Sequence, residues 1–490
     1  MRTRKLIGVH LGTSSVRVGI YNLNGELLDS GEAPINEQTT VAWERALRKA
    51  TPPLPKSDIC SVTSTSGTVL LVDEHGEPVF PPQMYYESAP DQAEQLRQFE
   101  SDDHPVNWDT VLSSTSPLAK VLRLRENHPK RFEDVEWILS PTTWLLYRFH
   151  YGNATHWDDI ETDWTNAMKF GADITTPVPK WFDSLFDSIG LSRSLFPTIR
   201  PPGTYVGVAE SQLADRTGFN GSKLFQGITD GSAFVLANGC LEPGDFSLTF
   251  GATSVIKFVS EEITPHEALY YHRHPIEGYL SGASFESGNT LRWFFDRVID
   301  CTEQRGLELA STVPPGKEYE IFPPANRGPF SEASVGSSIL GLGYDTALST
   351  DDVHGRLARG LITAIVLAES TYISMIEDHF GTLIDRVRIM NDNAPTHQYN
   401  YDWWNRLRSS VWDRPIVEME PRTTVGPIIP ATLITSIYSG INEATDKLVR
   451  QRSSVTPDPD LAAEYKHRGK PYLAQWQAIT QLTKDDHDYI

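Results

Sequence analysis

The feature that most constrains the fold of this chain is a β-hairpin with a small, polar tip, which occurs twice in the sequence. The first copy has the tip Gly12-Thr13-Ser14-Ser15, and the second has the tip Gly251-Ala252-Thr253-Ser254. Apolar residues alternate at period two on both sides of each tip, and this alternation predicts paired strands. Because the two copies share composition and register, they predict two related lobes that each offer a hairpin to a shared cleft.

Small residues at such a tip let backbone N–H groups and hydroxyls converge without crowding by Cβ atoms, and this arrangement can hold a phosphate. Arg17, two residues beyond the first tip, would add positive charge. Taken alone, either tip is also compatible with an ordinary solvated hairpin turn. The repeat favours the phosphate-binding interpretation.

The length and composition of the chain are consistent with two such lobes. A chain of 490 residues is too long for one core and suits two domains of similar size. The net charge of −21 argues against nucleic acid as a partner but leaves room for a small anionic ligand.

Cys60, Cys240 and Cys301 lie far apart without metal-ligand spacing, so we expect reduced thiols in a cytoplasmic protein. We expect neither a signal peptide nor a membrane partner, and the apolar segment 352–380 has the period of a core helix.

Three polar stretches are candidates for a site. Thr63-Ser64-Thr65-Ser66-Gly67-Thr68 follows a predicted buried strand, and ligands of α/β sheets gather at such carboxyl ends, although a solvated turn has the same composition. Thr162-Asp163-Trp164-Thr165-Asn166-Ala167 is either a capped helix start or a wall that contacts a sugar. Asp230, between Gly227 and Gly231 at a predicted strand-to-helix junction, is either a helix cap or a base beside a transferring phosphate.

With Gly227-Ile228-Thr229-Asp230-Gly231 between the two hairpins, the chain resembles the FGGY carbohydrate kinases from Leu6 to about Gly440. The stretches 62–73, 162–167 and 241–245 support this, and His272-Arg273-His274-Pro275 looks most like the pentulose kinases that act on D-ribulose or D-xylulose. The resemblance implies an α/β fold with two actin-like, ribonuclease-H-like ATPase domains that flank an interdomain cleft. It also implies ATP and Mg²⁺ as cofactors and a small-molecule sugar as substrate, and it leaves a homodimer open.

By this resemblance we expect an N-terminal sugar-binding domain at residues 1–222, a C-terminal nucleotide-binding domain at 223–450 and a tail or surface helix at 451–490. Asp230 would be the base that accepts the proton of the sugar hydroxyl. The residues expected to bind ATP and its phosphates are Gly12, Thr13, Ser14, Ser15, Arg17, Gly251, Ala252, Thr253, Asn391 and Ala394. Those expected to bind the sugar are Thr65, Ser66, Gly67, Glu87, Asp163 and Asp230.

The chain departs from the family pattern at three places. His10 stands where the family has an aspartate near magnesium, and imidazole is a poor ligand for an ion that prefers oxygen. Glu87-Ser88-Ala89 keeps an acid but lacks the arginine of an Asp-x-Arg pattern, and Asn391-Asp392-Asn393-Ala394 replaces a triple glycine beside adenosine. An active sugar kinase, a catalytically silent sugar-binding or regulatory protein, and a kinase with another donor or an unusual substrate therefore remain as hypotheses.

Overall fold

The computed structural model describes residues 4–53, 59–98, 108–251, 253–322, 338–343, 345–391, 402–466 and 468–486. The described strands are β1 (Leu6–Leu11), β2 (Ser15–Tyr21), β3 (Leu27–Pro34), β4 (Ile59–Ser64), β5 (Leu70–Val72), β6 (Trp137–Leu139), β7 (Glu161–Asp163), β8 (Ala172–Asp173), β9 (Lys180–Trp181), β10 (Thr198–Arg200), β11 (Tyr205–Val208), β12 (Lys223–Thr229), β13 (Phe246–Phe250), β14 (Thr253–Ser260), β15 (Tyr270–Arg273), β16 (Tyr279–Glu286), β17 (Glu320–Phe322), β18 (Ser338–Leu340), β19 (Val387–Asn391), β20 (Ile416–Met419) and β21 (Gln451–Val455).

The described helices are α1 (Thr40–Ala50), α2 (Pro90–Arg97), α3 (Trp108–Val111), α4 (Pro117–Asn127), α5 (Pro129–Phe132), α6 (Pro141–His150), α7 (Trp164–Ala167), α8 (Asp183–Ser188), α9 (Gln212–Thr217), α10 (Asp230–Ala237), α11 (Gly288–Arg297), α12 (Glu303–Thr312), α13 (Thr350–Phe380), α14 (Asp402–Trp412), α15 (Ile428–Ile434), α16 (Ile441–Leu448), α17 (Pro459–Lys466) and α18 (Gly469–Asp486). Short 3₁₀ helices occupy Met168–Phe170 and Arg193–Leu195.

Two large mixed sheets carry the fold, and they repeat one arrangement. The first has the order β11-β12-β4-β1-β2-β3, and the second has the order β15-β16-β14-β13-β19-β20-β21. In the first sheet β1, β2 and β3 are antiparallel neighbours, while β4 and β12 extend the sheet in parallel with β1. In the second sheet β13, β14 and β16 are the antiparallel set, and β19 and β20 are the parallel extension. The two hairpins and the two related α/β lobes expected from the sequence are confirmed.

Apolar packing joins the lobes as well as filling them. One core lies behind β1, β2 and β4 against α1 and α6, and another packs the second sheet against α11, α12 and α13. A third core contains Leu6 and Phe225 of the first sheet together with Met390 and Met419 of the second, closed by α10, α15 and α16. This shared core fixes one lobe against the other below the edge where the site lies.

Helix α13 is the long apolar helix that the periodicity predicts, and it is the core helix of the second lobe. Ser349 caps its first turn together with Asp352, and Gly381 ends it at a positive φ of 61°. By length and composition α13 could cross a membrane, but 72% of its most apolar window is buried inside the structure. Burial of that kind is what a core helix requires.

Two segments bear on the expected domain division. Strand β12, which our division assigns to the second domain, is hydrogen-bonded to β4 in the first sheet, so that sheet extends to Thr229. The segment from 451 onward, expected to be a tail or surface helix, begins with β21 paired to β20 at the edge of the second sheet and continues into α17 and α18. Beyond β21, Tyr465, Tyr472 and Trp476 are buried against the same lobe. The average composition of this segment is polar, so composition alone does not reveal that its helices are anchored. Three buried aromatic rings are enough to anchor α17 and α18 to the lobe.

Candidate functional site

The candidate site begins at one edge of the first sheet, where three neighbouring strands end together. Leu11 of β1 pairs with Ser64 of β4, and Ser64 pairs with Thr229 of β12. The residues that follow, Gly12, Thr65 and Asp230, therefore leave the sheet side by side, about 4.8 Å apart from strand to strand. Strand register thus brings the first hairpin tip, the hydroxyl-rich loop and the candidate base to one edge.

Asp230 links the hydroxyl-rich loop to the start of α10. Its Oδ1 accepts a hydrogen bond from the backbone N–H of Ser66 at 3.2 Å and from that of Gly231 at 2.7 Å. Helix N-termini favour a carboxylate in its charged form. Gly227 allows β12 to approach β4 here, because a Cβ at this position would lie 1.8 Å from the carbonyl oxygen of Val62. Asp230 is therefore a partly buried, oriented carboxylate at the mouth of the sheet edge.

Asp163, expected among the sugar-binding residues, is buried at the start of α7. Its carboxylate is fully buried and accepts hydrogen bonds from the backbone and side chains of both Thr165 and Asn166. Burial raises the pKa of Asp163, and these hydrogen bonds oppose that shift. The hydroxyl of Thr165 in turn accepts from the backbone N–H of Thr229 at 2.9 Å. Asp163 is thus a helix cap and a positioning residue that fixes the chain just before Asp230.

The first hairpin tip divides into an inner and an outer part. The turn closes through the Gly12 N–H, which donates to the Ser15 carbonyl at 3.0 Å, and Gly12, Thr13 and Ser14 are partly or fully exposed. The Ser15 hydroxyl and the Arg17 guanidinium both donate to the carboxylate of Glu32 on β3, at 2.6 and 3.0 Å. In this structure Ser15 and Arg17 are therefore engaged by Glu32, whereas Gly12, Thr13 and Ser14 form the accessible tip.

The hydroxyl-rich loop is held from behind by a lysine that the sequence did not single out. Lys120 of α4 donates to the carbonyl oxygens of Gly67 at 3.0 Å and Met84 at 2.8 Å. Burial lowers the pKa of Lys120 to about 8. The Thr65 hydroxyl bonds that of Thr68 at 2.9 Å, while the buried hydroxyl of Ser66 has no partner in the structure. Ser66 therefore offers both a backbone contact to Asp230 and an unused hydroxyl at the same edge.

Glu87 pairs with an arginine from another part of the chain. Its Oε2 lies 3.5 Å from Nη2 of Arg123 on α4, and its Oε1 accepts from the Met84 N–H at 3.1 Å. The arginine missing from the local Asp-x-Arg pattern is thus supplied by a helix about forty residues away in sequence. Only the packing of α4 beneath the loop reveals this pairing.

His10 lies at the end of β1 against the first tip. Its Nε2 would be 3.0 Å from a Cβ placed on Gly12, its ring lies 6.2 Å from that of Phe234 on α10, and its Nδ1 is buried without a partner. Burial, reinforced by Arg17, lowers the pKa of His10 to about 3, so the imidazole is neutral. Among the described residues no three His, Cys, Asp or Glu side chains converge on one point. The donor set at this edge therefore does not fit a magnesium ion held by protein carboxylates.

The second hairpin tip is only partly described. Gly251 and Thr253 flank it and are half-buried, and the Ser254 hydroxyl donates to that of Ser287 at the start of α11 at 2.9 Å. Phe250 pairs in register with Asn391, so the neighbouring strands β13 and β19 of the second sheet also end together. Ala252 and the segment 392–394, which includes the expected nucleotide contact Ala394, lie outside the described residues.

A basic cluster across the lobe boundary was missed by the sequence reasoning. Lys169, just after α7, places its Nζ 2.8 Å from Nε2 of His272, and Lys257 of β14 places its Nζ 3.1 Å from Nδ1 of the same ring. Both ammonium groups interact with the charge of Asp230. A signal was present, because Lys257 stands between the apolar pairs Val255-Ile256 and Phe258-Val259 in the strand after the second tip.

Comparison with known proteins agrees with this geometry. Residues 41–236 match the N-terminal domain of the FGGY family of carbohydrate kinases. The autoinducer-2 kinase of Escherichia coli K12 is 23% identical over 97% of this chain and 94% of its own length. Among solved structures, a xylulose kinase from Rhodospirillum rubrum aligns with a TM-score of 0.81 and 19% identity over 98% of this chain and 99% of its own. Plasmodium falciparum glycerol kinase with ADP aligns with a TM-score of 0.80 and 15% identity over 96% and 98% of the two chains.

The match of residues 41–236, the agreement of fold over both lobes and the placement of Asp230 beside the hydroxyl-rich loop support the same conclusion. The fold is that of two actin-like ATPase domains, as the sequence predicted. We conclude that residues 41–236 form an N-terminal domain of the FGGY carbohydrate kinase type and that the chain as a whole shares the fold of the solved carbohydrate kinases.

Proposed function

We propose that this protein transfers the γ-phosphoryl group of ATP to a hydroxyl of a small sugar-like acceptor, with Asp230 as the general base. The observation that carries the proposal is the common ending of β1, β4 and β12, with the hydroxyl-rich loop in the middle, Asp230 on one side of it and the first hairpin tip on the other. Phosphoryl transfer needs in-line positioning, charge stabilisation and one base, and it asks for little covalent chemistry from the protein.

In the proposed reaction the acceptor lies over the loop of Thr65, Ser66 and Gly67, with one hydroxyl directed at the carboxylate of Asp230. The hydroxyl oxygen attacks the γ-phosphorus as its proton passes to Asp230, and the bond to the β-phosphate oxygen breaks to release ADP. Two backbone hydrogen bonds to Oδ1 orient the carboxylate that would receive that proton. The accessible tip of Gly12, Thr13 and Ser14 would face the phosphoryl group in transit.

Different observations support the proposed nucleotide and the proposed acceptor. A glycerol kinase structure of this fold carries ADP, and this favours ATP as the donor here. A pentulose such as D-ribulose or D-xylulose is one candidate acceptor, from the residues at 272–275 and the likeness of fold to xylulose kinases. Autoinducer-2, on which the autoinducer-2 kinases act by name, is a second candidate, because those kinases resemble nearly the whole chain. None of the proposed steps assigns a role to Mg²⁺. That ion would enter the site bound to the nucleotide phosphates.

One observation favours a second function, that of a weakened or silent sugar-binding protein. His10 places a neutral, buried imidazole where this family resemblance predicts a carboxylate. Such a protein would keep the acceptor loop and lose productive nucleotide binding.

A coupled assay of ADP release across pentuloses, hexuloses, polyols and aldonates tests the proposal directly. We expect ADP release that depends on both ATP and one class of acceptor. Calorimetric titration with ATP and Mg²⁺, and separately with the same acceptors, distinguishes the second function. Acceptor binding without nucleotide binding or ADP release would overturn the kinase proposal.

A further inference from the structure

The cluster of Lys169, His272 and Lys257 poses a hydrogen-bonding problem that points to a ligand. A lysine ammonium group can only donate hydrogen bonds, and a neutral imidazole has one acceptor nitrogen and one N–H donor. Two ammonium groups at 2.8 and 3.1 Å from the two ring nitrogens therefore cannot both be satisfied by one neutral ring. Either one lysine is an uncharged amine, or the cluster holds more positive charge than its partners accommodate.

Burial makes that excess charge costly. Lys257 is only 4% exposed, and burial together with the neighbouring Lys169 lowers its pKa to about 7. Burial lowers the pKa of Lys169 to about 8, and the two lysines with burial hold that of His272 well below its usual range. Asp230 opposes these shifts in both lysines, but its Oδ1 is already engaged by two backbone N–H groups. An anion that entered here would pair with both lysines and restore their charge.

The Lys257 side chain leads away from the second hairpin tip, where the nucleotide phosphates are expected. Lys257 and Tyr270 both pair with Gly282, which lies between them in the sheet. The side chain crosses the strand at this glycine, passes over the Tyr270 ring with Nζ 4.8 Å from its centre, and reaches His272. It therefore runs away from β13 and the second hairpin tip. Lys169 arrives from the other lobe, just beyond the α7 segment that positions Asp230.

The cluster also lies close to the reacting carboxylate. A Cβ on Gly231, the residue after Asp230, would be 3.8 Å from Cε of Lys257. A ligand that reached both the lysines and Asp230 would span only a few bonds, which is the size of a small hydroxylated acid or sugar phosphate.

We propose that the acceptor carries an anionic group, a carboxylate or a phosphate, that is bound by Lys169 and Lys257, one from each lobe. This inference rests on the proposed function, because it defines the acceptor class of the same site. It predicts that neutral pentuloses are poor acceptors, and that binding of the anion draws the two lobes onto one ligand. His272 would serve as the spacer that holds the two lysines apart.

The first experiment compares matched acceptors by calorimetric titration without nucleotide. D-Gluconate is paired with D-glucitol, and D-ribose 5-phosphate with D-ribose, so that each pair differs in the anionic group; ATP alone forms a third arm. We expect at least one anionic member to bind about tenfold or more tightly than its neutral partner. The pair that shows the preference identifies the carboxylate or the phosphate as the group recognised.

Lysine variants assign that preference to the cluster. Lys257→Met and Lys169→Met keep the side-chain length and remove the charge, and Lys223→Met, at an exposed lysine of the first lobe, is the matched control. We expect each cluster variant to reduce the preference about tenfold or more without weakening the neutral partner, and the control to retain it. Lys169 is only partly buried, so Lys169→Met provides the comparison if Lys257→Met does not fold.

Proton uptake gives a readout that a structural role would not move. An anion raises the pKa of a lysine towards its ordinary value, so binding at about pH 8 should take up protons, in a fraction that calorimetry in two buffers measures. The charged and titratable groups around the lysines are Asp230, His272 and Tyr270, and burial raises the pKa of Tyr270 and lowers that of His272, so both are neutral at this pH. Uptake should be absent for neutral ligands and reduced in each single lysine variant, which retains one titrating lysine.

The outcomes separate this inference from the proposed function. Equal binding of charged and neutral partners, a preference that survives both lysine substitutions, no binding of any anionic member, or lysine dependence confined to ATP would each overturn the inference. Lysine-dependent binding of an anion without ADP release would contradict the kinase proposal and leave the anion site standing.

Discussion

Replacement of Asp230 by Asn tests the central chemical claim, because it removes the base and keeps the shape. The Asn side-chain oxygen can still accept from the N–H groups of Ser66 and Gly231, so the local hydrogen bonds are retained. General-base catalysis contributes about 10²- to 10⁴-fold to a rate, which corresponds to about 3–5 kcal/mol of activation free energy. The lost charge at the start of α10 costs about 0.3–1 kcal/mol of folding stability. We therefore expect kcat to fall by two to four orders of magnitude at nearly unchanged stability.

The assay is steady-state ADP release with the best acceptor, together with the acceptor Kd by calorimetry and the free energy of unfolding in urea. Acceptor affinity should change less than about threefold, because the amide still offers a hydrogen-bonding group to the hydroxyl. Asp73→Asn is the matched control, since the Asp73 Oδ1 likewise accepts two backbone N–H bonds, both at 2.9 Å, in a turn away from the edge. A kcat within about tenfold of the unmodified protein, or equal losses of turnover and acceptor affinity, would show that Asp230 is a structural cap.

Three further substitutions test other parts of the structure. His10→Asp should lower the KM for ATP with Mg²⁺ or raise turnover, and no change in either quantity would mean that this position does not meet the metal. Asp163→Ala should reduce the free energy of unfolding by about 2–4 kcal/mol in urea, because buried donors of Thr165 and Asn166 lose their acceptor, and a loss under about 0.5 kcal/mol would contradict the capping role. Glu369→Gln should cost about 3–5 kcal/mol by leaving the fully buried guanidinium of Arg408 without its counter-charge, whereas unchanged thermal unfolding would refute that reasoning.

Much of the site could be predicted from local sequence because its placement follows from backbone rules. Period-two alternation predicts β1, β2, β13 and β14, and the glycine-tipped turns predict where they reverse. Asp230 stands out because glycines at a strand-to-helix junction mark a place where two backbone segments lie close together. At Gly227 an added Cβ would be only 1.8 Å from the carbonyl oxygen of Val62. These features depend on neighbours within a few residues.

Other features depend on burial and on contacts that the local sequence does not reveal. A carboxylate followed by Thr and Asn at helix-start spacing suits both a sugar contact and a helix cap, and only the structure shows that Asp163 is completely buried as a cap. The pairing of Arg17 with Glu32 depends on the register of β2 against β3. The three buried aromatic residues of the C-terminal segment do not change its average composition, so the sequence predicts only a tail or surface helix there.

The sequence alone determined the repeated hairpins, the ends of the strands and the acid at position 230, because periodicity and glycine placement act through local backbone geometry. Tertiary structure alone decided that Arg123 meets Glu87 and that lysines from two lobes share one imidazole. Electrostatic partnership depends on distance in space: Glu87 and Arg123, 36 positions apart, become neighbours when the first lobe packs, and Lys169 and His272, 103 positions apart, become neighbours when the two lobes come together.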